Sequence, residues 1–348
     1  MNRGPTMQTI AEAAGCSRMT VSLALRNSPE VTPATRARIR QIAEALGYRP
    51  NPLVSTLMAQ RAGRKIEGGR IPLALLNTFE NFGAFTALEF YRLLLQGIEE
   101  RAAALGFYPE VFHVHADSGV SPRQLDKILL NRGIRGVIIL PVSAVSVDFE
   151  LSWDHYSVAT LGHTWRGAPI HRSLSDQFGN GCVLLDKLHA QGCRRPGLLM
   201  DEMTHVRTSG HFAAGYYLFQ KEHPEVAEIP AFFRSAKTSD ADIDRWIKLH
   251  RPDVIIGHGD EVGGLERRGW SVPGDFGYAN LNLLPSEYDR LGGIDPQARL
   301  IGEACVDLVV ARLHRNELGL PEHPRMAAVS GQWHAGRSLG QCPAAAAA

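Results

Sequence analysis

Apolar and polar positions along this chain fall into two regimes. Over residues 6–46 the apolar positions recur at helical spacing, whereas from residue 71 onward short apolar runs alternate with amphipathic stretches. In the first regime a helix is expected to start at Thr6, whose hydroxyl can cap orphan N–H groups, and to run from Met7 to Ala14 until Gly15 stops it. The turn Gly15-Cys16 leads to a second cap, Ser17, and to the helix Arg18-Met19-Thr20-Val21-Ser22-Leu23-Ala24-Leu25. Two short helices joined by a tight glycine-containing turn make a helix-turn-helix arrangement. A third helix opens with Thr32-Pro33, a cap followed by proline at a position where the missing N–H is harmless. Its residues Ile39, Ile42, Ala43 and Leu46 share one face, and Gly47 ends it. Ala11, Ala14 and Ala24 let the first two helices approach closely, while Val21, Leu25 and Val31 fill the space against the third. Taken alone, the pattern fits either a DNA-binding head or a three-helix bundle with no nucleic-acid role.

Behind the head, Arg49-Pro50-Asn51-Pro52 runs into a short apolar segment ending at Leu57. With Asn51 as cap and Pro52 as first residue, a helix over 52–59 is expected. Arg61, Arg64 and Lys65, together with Gly63, Gly68 and Gly69, then form a basic, flexible linker. In the second regime strands are expected at Ile71–Leu76, Glu110–Val114, Gly136–Leu140, Val158–Gly162, Gly197–Met200, 231–234, Val254–Gly257 and Phe276–Ala279. Helices are expected at 88–105, 121–132, 178–192, 207–222, 239–250, 260–268 and 296–317. This alternation argues for parallel sheets with helices on both faces, and its length for two doubly wound subdomains. The expected division is therefore an all-α head over 1–50, a hinge helix and linker over 51–69, an α/β body over 70–340 whose chain crosses between two subdomains, and a disordered tail over 341–348 ending in five alanines.

Charge separates the two possibilities for the head. Residues 1–65 hold ten Lys or Arg against Glu12, Glu30 and Glu44, a net +7, while the whole chain is +1 and the remainder therefore −6. A basic end on a mildly acidic body is the footprint of a protein that sits on phosphates at one end only. Catalysis has little support: the chain lacks a G-x-S-x-G elbow, an H-E-x-x-H run, a Walker loop and a strand followed by G-x-G-x-x-G. Gly257-His258-Gly259 is followed by Asp260-Glu261, which would repel a phosphate. His113 and His115 can face one way on a strand, but no Cys or carboxylate stands at ligand spacing beside them, so no metal or other cofactor is expected. Cys16, Cys182, Cys193, Cys305 and Cys342 are odd in number and widely spaced, which points to reduced thiols. No signal peptide or apolar run of spanning length is visible, so a cytoplasmic protein is expected. A solute-binding module would need export, and a sugar-processing enzyme a reactive constellation in its cleft.

The residues also carry a family resemblance. The run Thr6 to Ser17, the following Thr20-Val21-Ser22, Val31-Thr32-Pro33-Ala34-Thr35-Arg36, and Leu46-Gly47-Tyr48-Arg49-Pro50-Asn51 closely resemble, without gaps, the head of the LacI/GalR (lactose-repressor-like) family of bacterial transcription regulators. The resemblance implies a periplasmic-binding-protein-like type I body with ligand held between its subdomains. It also implies a sequence-specific regulator, usually a repressor, that acts as a homodimer on a pseudo-palindromic double-stranded operator and responds to a small polar effector such as a sugar. In that family the second helix enters the major groove, so Arg18, Met19, Ser22 and Leu23 match positions facing bases or flanking phosphates. Arg18 can fork onto guanine, and Met19 or Leu23 can meet a thymine methyl, the alternative for both apolar residues being core packing. Thr6, Ser17, Thr32, Thr35, Tyr48 and Asn51 match phosphate-holding positions that set register. Leu57 matches a leucine that wedges into the minor groove. Val54 stands where relatives carry alanine and bears on how paired hinge helices meet.

For the effector, Asp176 matches a family aspartate at a strand end, and Asp260 a position on the ligand rim. His211 stands where relatives have arginine, with Arg207 one helical turn earlier, and Ala279 stands where a further aspartate is usual. Helix capping is the alternative role for Asp176 and Asp260.

Overall fold

The computed structural model describes residues 6–25, 30–46, 48, 70–114, 119–142 and 150–340. The expected hinge helix, with Asn51, Val54 and Leu57, and the expected tail lie outside the described residues. In the head, α1 (Met7–Ala14), α2 (Arg18–Leu25) and α3 (Pro33–Ala45) form as the sequence predicts. The Thr6 hydroxyl accepts from the Thr9 backbone N–H, and Gly15 closes α1 in the left-handed conformation at φ 60°. Ile10, Val21, Ala24 and Ile39 are fully enclosed, and Ala11, Ala14, Val31 and Ala43 complete the core. The small side chains at 11, 14 and 24 let the helices approach, as the pattern implied.

The body consists of β1 (Ile71–Asn77), α4 (Phe82–Ala87), α5 (Glu89–Ala104), β2 (Phe107–His113), α6 (Pro122–Asn131), β3 (Gly136–Ile139), β4 (Ser157–Leu161), β5 (His171–Ser175), α7 (Gln177–Ala190) and β6 (Pro196–Asp201). It continues with α8 (Glu202–Arg207), α9 (His211–Glu222), β7 (Phe232–Arg234), α10 (Asp240–His250), β8 (Val254–Gly257), α11 (Glu261–Arg267), β9 (Gly277–Asn280), β10 (Gly292–Asp295), α12 (Ala298–His314), β11 (Met326–Val329) and β12 (Gln332–His334). Two six-stranded sheets result, in the orders β11-β5-β4-β3-β1-β2 and β12-β10-β9-β8-β6-β7. Their pairings are parallel except for the antiparallel edge pair β10–β12. Consecutive strands shared between the sheets require the chain to pass from one subdomain to the other after β5, after β10 and after β11.

Each sheet is covered on both faces. Leu73, Ile138 and Leu161 pack under α5 and α12 on one face of the first sheet, and Leu76, Val137 and Val158 pack with Leu125 and Tyr156 on the other. The second sheet divides in the same way, with Leu184, Phe212 and Ile256 in one cluster and Ile247, Ile255 and Tyr278 in the other. Where α5 crosses α12 the backbones nearly touch: a Cβ on Gly302 would lie 2.2 Å from the Leu94 carbonyl oxygen, and one on Gly97 would lie 2.1 Å from that of Arg299.

Several expectations are corrected. The helix foreseen over 207–222 starts later, as α9 at His211, because the left-handed pair Ser209 (φ 53°) and Gly210 (φ 73°) breaks the chain before it, and a separate short helix, α8, capped by Asp201 through the Met203 and Thr204 N–H groups, was not foreseen. β5 was not foreseen because it is polar, yet it is interior: the Ser173 hydroxyl donates to the Ile301 carbonyl at 2.8 Å, and the His171 ring accepts from the Arg325 N–H at 2.9 Å. Short β10, β11 and β12 also lacked a periodic signal. Cys193 is disulfide-bonded, contrary to the expectation of reduced thiols throughout, whereas Cys16, Cys182 and Cys305 are free. Among the described residues, no helix is long and apolar enough to cross a membrane.

Candidate DNA-reading head and effector cleft

The head presents its chemistry from helix starts. The Ser17 hydroxyl accepts from the Thr20 N–H at 3.1 Å, and the Thr32 hydroxyl from the Thr35 N–H at 3.4 Å, so each helix is anchored by a hydroxyl at its positive end. The remaining N–H groups of such ends suit phosphate oxygens. Arg18 is exposed at the start of α2, and beside it Met19 leaves 69% of its surface uncovered, an apolar side chain with no core role. Ser22 and Leu23 are half-buried, and Leu23 also packs against the head's core. The packing alternative raised for both apolar residues thus separates them: Met19 is surface, Leu23 is shared. Tyr48 leans on the same core, and burial pushes its phenol pKa upward. Arg36 is not simply a surface cation, since its Nη2 donates to the Val31 carbonyl at 2.9 Å and ties the start of α3 to the preceding turn.

In the body, the carboxyl ends of parallel strands are where such folds place ligands. There the two subdomains meet through side chains. Arg207, the last residue of α8, sends Nη1 to the Val142 carbonyl (3.3 Å) and Nη2 to the Tyr91 hydroxyl (3.4 Å), both on the first subdomain. Arg166, beyond β4, donates to the hydroxyl of strained Ser209 at 3.1 Å. His211 lies beside His163, with ring centroids 4.6 Å apart. His211 Nδ1 is 2.8 Å from the Thr208 carbonyl, which can only accept, so that nitrogen carries the proton. Burial, and then the neighbouring His211 and Arg172, lower the pKa of His163 to about 4, and its enclosed Nε2 has no hydrogen-bond partner.

The other sequence-predicted residues divide. Asp176 caps α7, its Oδ1 accepting from the Gly179 N–H at 3.0 Å. Asp260 sits at the start of α11 without making a side-chain cap, which leaves its carboxylate available. Ala279 faces the core of the second subdomain, while its neighbour Asn280, fully buried at the end of β9, accepts from the Gly259 and Asn282 N–H groups. His113 is bonded to Asn77 at 3.0 Å, and His115 lies outside the described residues. The sequence reading missed His163, Arg166, Tyr91 and Asn280. The strand-end rule could have found His163 and Asn280; Tyr91 is helical and Arg166 follows a loop, so no local signal marks them. A surface groove lined by Arg195, Ile247, Asp253, Trp270 and Phe276 lies at the opposite, amino end of β8 and β9 and holds none of these groups.

Comparison with known proteins agrees with this geometry. Residues 6–51 match the family described as "Bacterial regulatory proteins, lacI family". The chain is 30% identical over 138 residues to the HTH-type transcriptional regulator CelR of Thermobifida fusca, an alignment spanning 40% of this chain and 37% of CelR. It is 24% identical over 339 residues to the HTH-type transcriptional regulator GntR of Escherichia coli K12, spanning 86% of this chain and 93% of GntR. Among solved structures, a CelR–cellobiose complex superposes with a TM-score of 0.59 at 19% identity, covering 96% of this chain and 99% of that one. The Lac repressor dimer bound to operator and the anti-inducer ONPF gives 0.55 at 17% identity, covering 97% and 99%. These two likenesses establish the two-subdomain fold. Over residues 6–51, the stretch that includes the three-helix head, the chain is therefore similar to the lacI family of bacterial regulatory proteins.

Proposed function

We propose that this protein is a sequence-specific, DNA-binding transcription regulator of the repressor type, acting as a symmetric homodimer on a pseudo-palindromic operator in the cytoplasm. The observation that carries the reading is the head: Arg18 and uncovered Met19 stand side by side at the start of a helix that, like its two neighbours, begins at a hydroxyl cap. Arg18 and Met19 would read base edges with Ser22 and Leu23, while Thr6, Ser17, Thr32, Thr35, Tyr48 and Asn51 would hold phosphates. Val54 and Leu57 would form the minor-groove contact. The body then acts as a regulatory binder and not as an enzyme.

A small polar effector, a sugar or sugar derivative, is proposed to bind between the subdomains among Arg207, His211, Asp260 and the neighbouring Asp176. Cellobiose in the CelR complex favours a sugar. Arg207 bridges the two subdomains, so a ligand that replaces its Val142 and Tyr91 partners changes how they sit. That rotation alters hinge spacing and so the fraction of dimers competent for DNA, provided the ligand prefers one arrangement by several kcal/mol. Exposed Phe178 and Val183 on α7 and Tyr217 and Leu218 on α9 offer apolar surface for a second copy.

The test is titration of a fluorescent operator duplex across salt. If several phosphates are neutralised, affinity should fall by orders of magnitude between ~50 and ~200 mM salt. Salt-independent binding, or none, would leave the solute-binding reading in place.

A further inference from the structure

We propose that the second subdomain carries a zinc site formed by His189, His223 and Glu225, remote from the interdomain cleft. His189 lies in the last turn of α7 and His223 caps the end of α9, the two helices packed side by side. Glu225 follows two residues later. His189 Nε2 and His223 Nδ1 each lie 3.0 Å from Glu225 Oε1, and the three donor atoms all fall within 4.8 Å of one another. Two imidazoles and a carboxylate are a donor set that zinc takes at ~2.0–2.2 Å, with ligand atoms about 3.3 Å apart in tetrahedral geometry and water in the fourth position.

Three features point to a shared ion and not to a simple ion pair. First, Glu225 Oε1 is hydrogen-bonded to His223 Nδ1, whereas enclosed His189 Nε2, also 3.0 Å from that oxygen, makes no hydrogen bond to it. The ring nitrogen is therefore not aimed at that oxygen, as is usual when two ligand atoms converge on a common third atom. Second, the Phe219 ring packs against both imidazoles, at 5.8 Å and 4.3 Å between centroids, and the imidazoles lie 4.6 Å apart. Their orientations are thus fixed before any ion arrives. Third, two helices end at this point, and the negative ends of their dipoles favour a cation. The opposing charge is Arg194, whose guanidinium is occupied with the His189 and Cys193 carbonyls at 2.9 Å. Sequence spacing could not show the cluster, because His189 comes from a different helix than the His223-x-Glu225 pair.

The experiment is zinc titration of the chelator-stripped full-length protein against a chromophoric competitor, with zinc counted by elemental analysis after dialysis. One zinc per chain is expected. Affinity should fall by about a hundredfold or more in His189→Ala and in His223→Ala, and remain unchanged in the exposed control His323→Ala. Failure to retain zinc, or equal affinity in the double variant His189→Ala/His223→Ala, overturns the assignment. Should the variants not fold, cobalt substitution of the unaltered protein decides. A tetrahedral visible spectrum without thiolate charge-transfer bands supports the site, whereas thiolate bands place the metal on cysteine and refute it.

Discussion

Arg18 and Arg36 look alike in the sequence and differ in the structure. Arg18 is free of the head's core, so Arg18→Ala should cost about 1–3 kcal/mol of operator affinity and relax discrimination at one base pair. Competition binding with single-base operator variants checks this; equal losses on operator and random DNA would refute the base-reading role. Arg36 holds the Val31 carbonyl, so Arg36→Ala should weaken all DNA alike and also lower the head's melting temperature. A variant with unchanged melting would show that the bond carries no weight. A third residue governs pH dependence. Burial raises the Glu261 carboxyl to about 7, and its enclosed Oε2 lacks a partner. Its folded pKa lies above the unfolded value of ~4.3, so the folded state holds the proton longer. The associated stability is complete at low pH and is lost as pH rises through about 7. Glu261→Gln should therefore stabilise the protein at pH ~7.5 relative to pH ~5, by about 1–3 kcal/mol. Denaturant unfolding at both pH values checks this, and parallel curves for the two proteins would contradict it.

At the scale of elements, close helix contact is the most exposed point of the fold. Gly302→Ala would drive a Cβ into the Leu94 carbonyl at the α5–α12 crossing, and overpacking of this kind costs about 1–3 kcal/mol. Thermal unfolding should show the loss, and an unchanged transition would mean that the helices can part freely. The hinge is expected to act as an element too: Leu57→Ala should chiefly abolish operator bending, measured by the mobility of circularly permuted duplexes. An unaltered bend would remove the wedge from the account. Elements with caps and strong periodicity were legible from residues alone, as α1, α3 and the buried run Val254–Gly257 show. β5 was not legible, because its interior polar side chains are satisfied by chain segments far away in sequence. The start of α9 was placed too early, because nothing in the residue pattern marks the left-handed turn at Ser209 and Gly210, and short α8 was not legible at all. For the site, the head was readable because its chemistry is local. The cleft was only partly so: Arg207 and His211 were marked by alignment to the family, but their partners Tyr91, Val142 and His163 are brought to them by the crossing of the chain between sheets.

For the whole molecule, a head of +7 and a body of −6 divide the labour between DNA and regulation. An effector that rearranges the Arg207 bridge should change operator affinity without touching the head, and Arg207→Ala should uncouple the two. In that variant the DNA affinity is expected to persist while its response to whichever small polar molecule alters operator binding of the unaltered protein disappears; an intact response would place the effector elsewhere. The central claim is that this chain reads a particular DNA sequence. Its most direct test is selection of bound duplexes from a random pool at near-physiological salt, with and without a cell-metabolite extract. The account predicts one enriched pseudo-palindrome with a pyrimidine–purine step at its centre; a pool with no enriched sequence under either condition would contradict it.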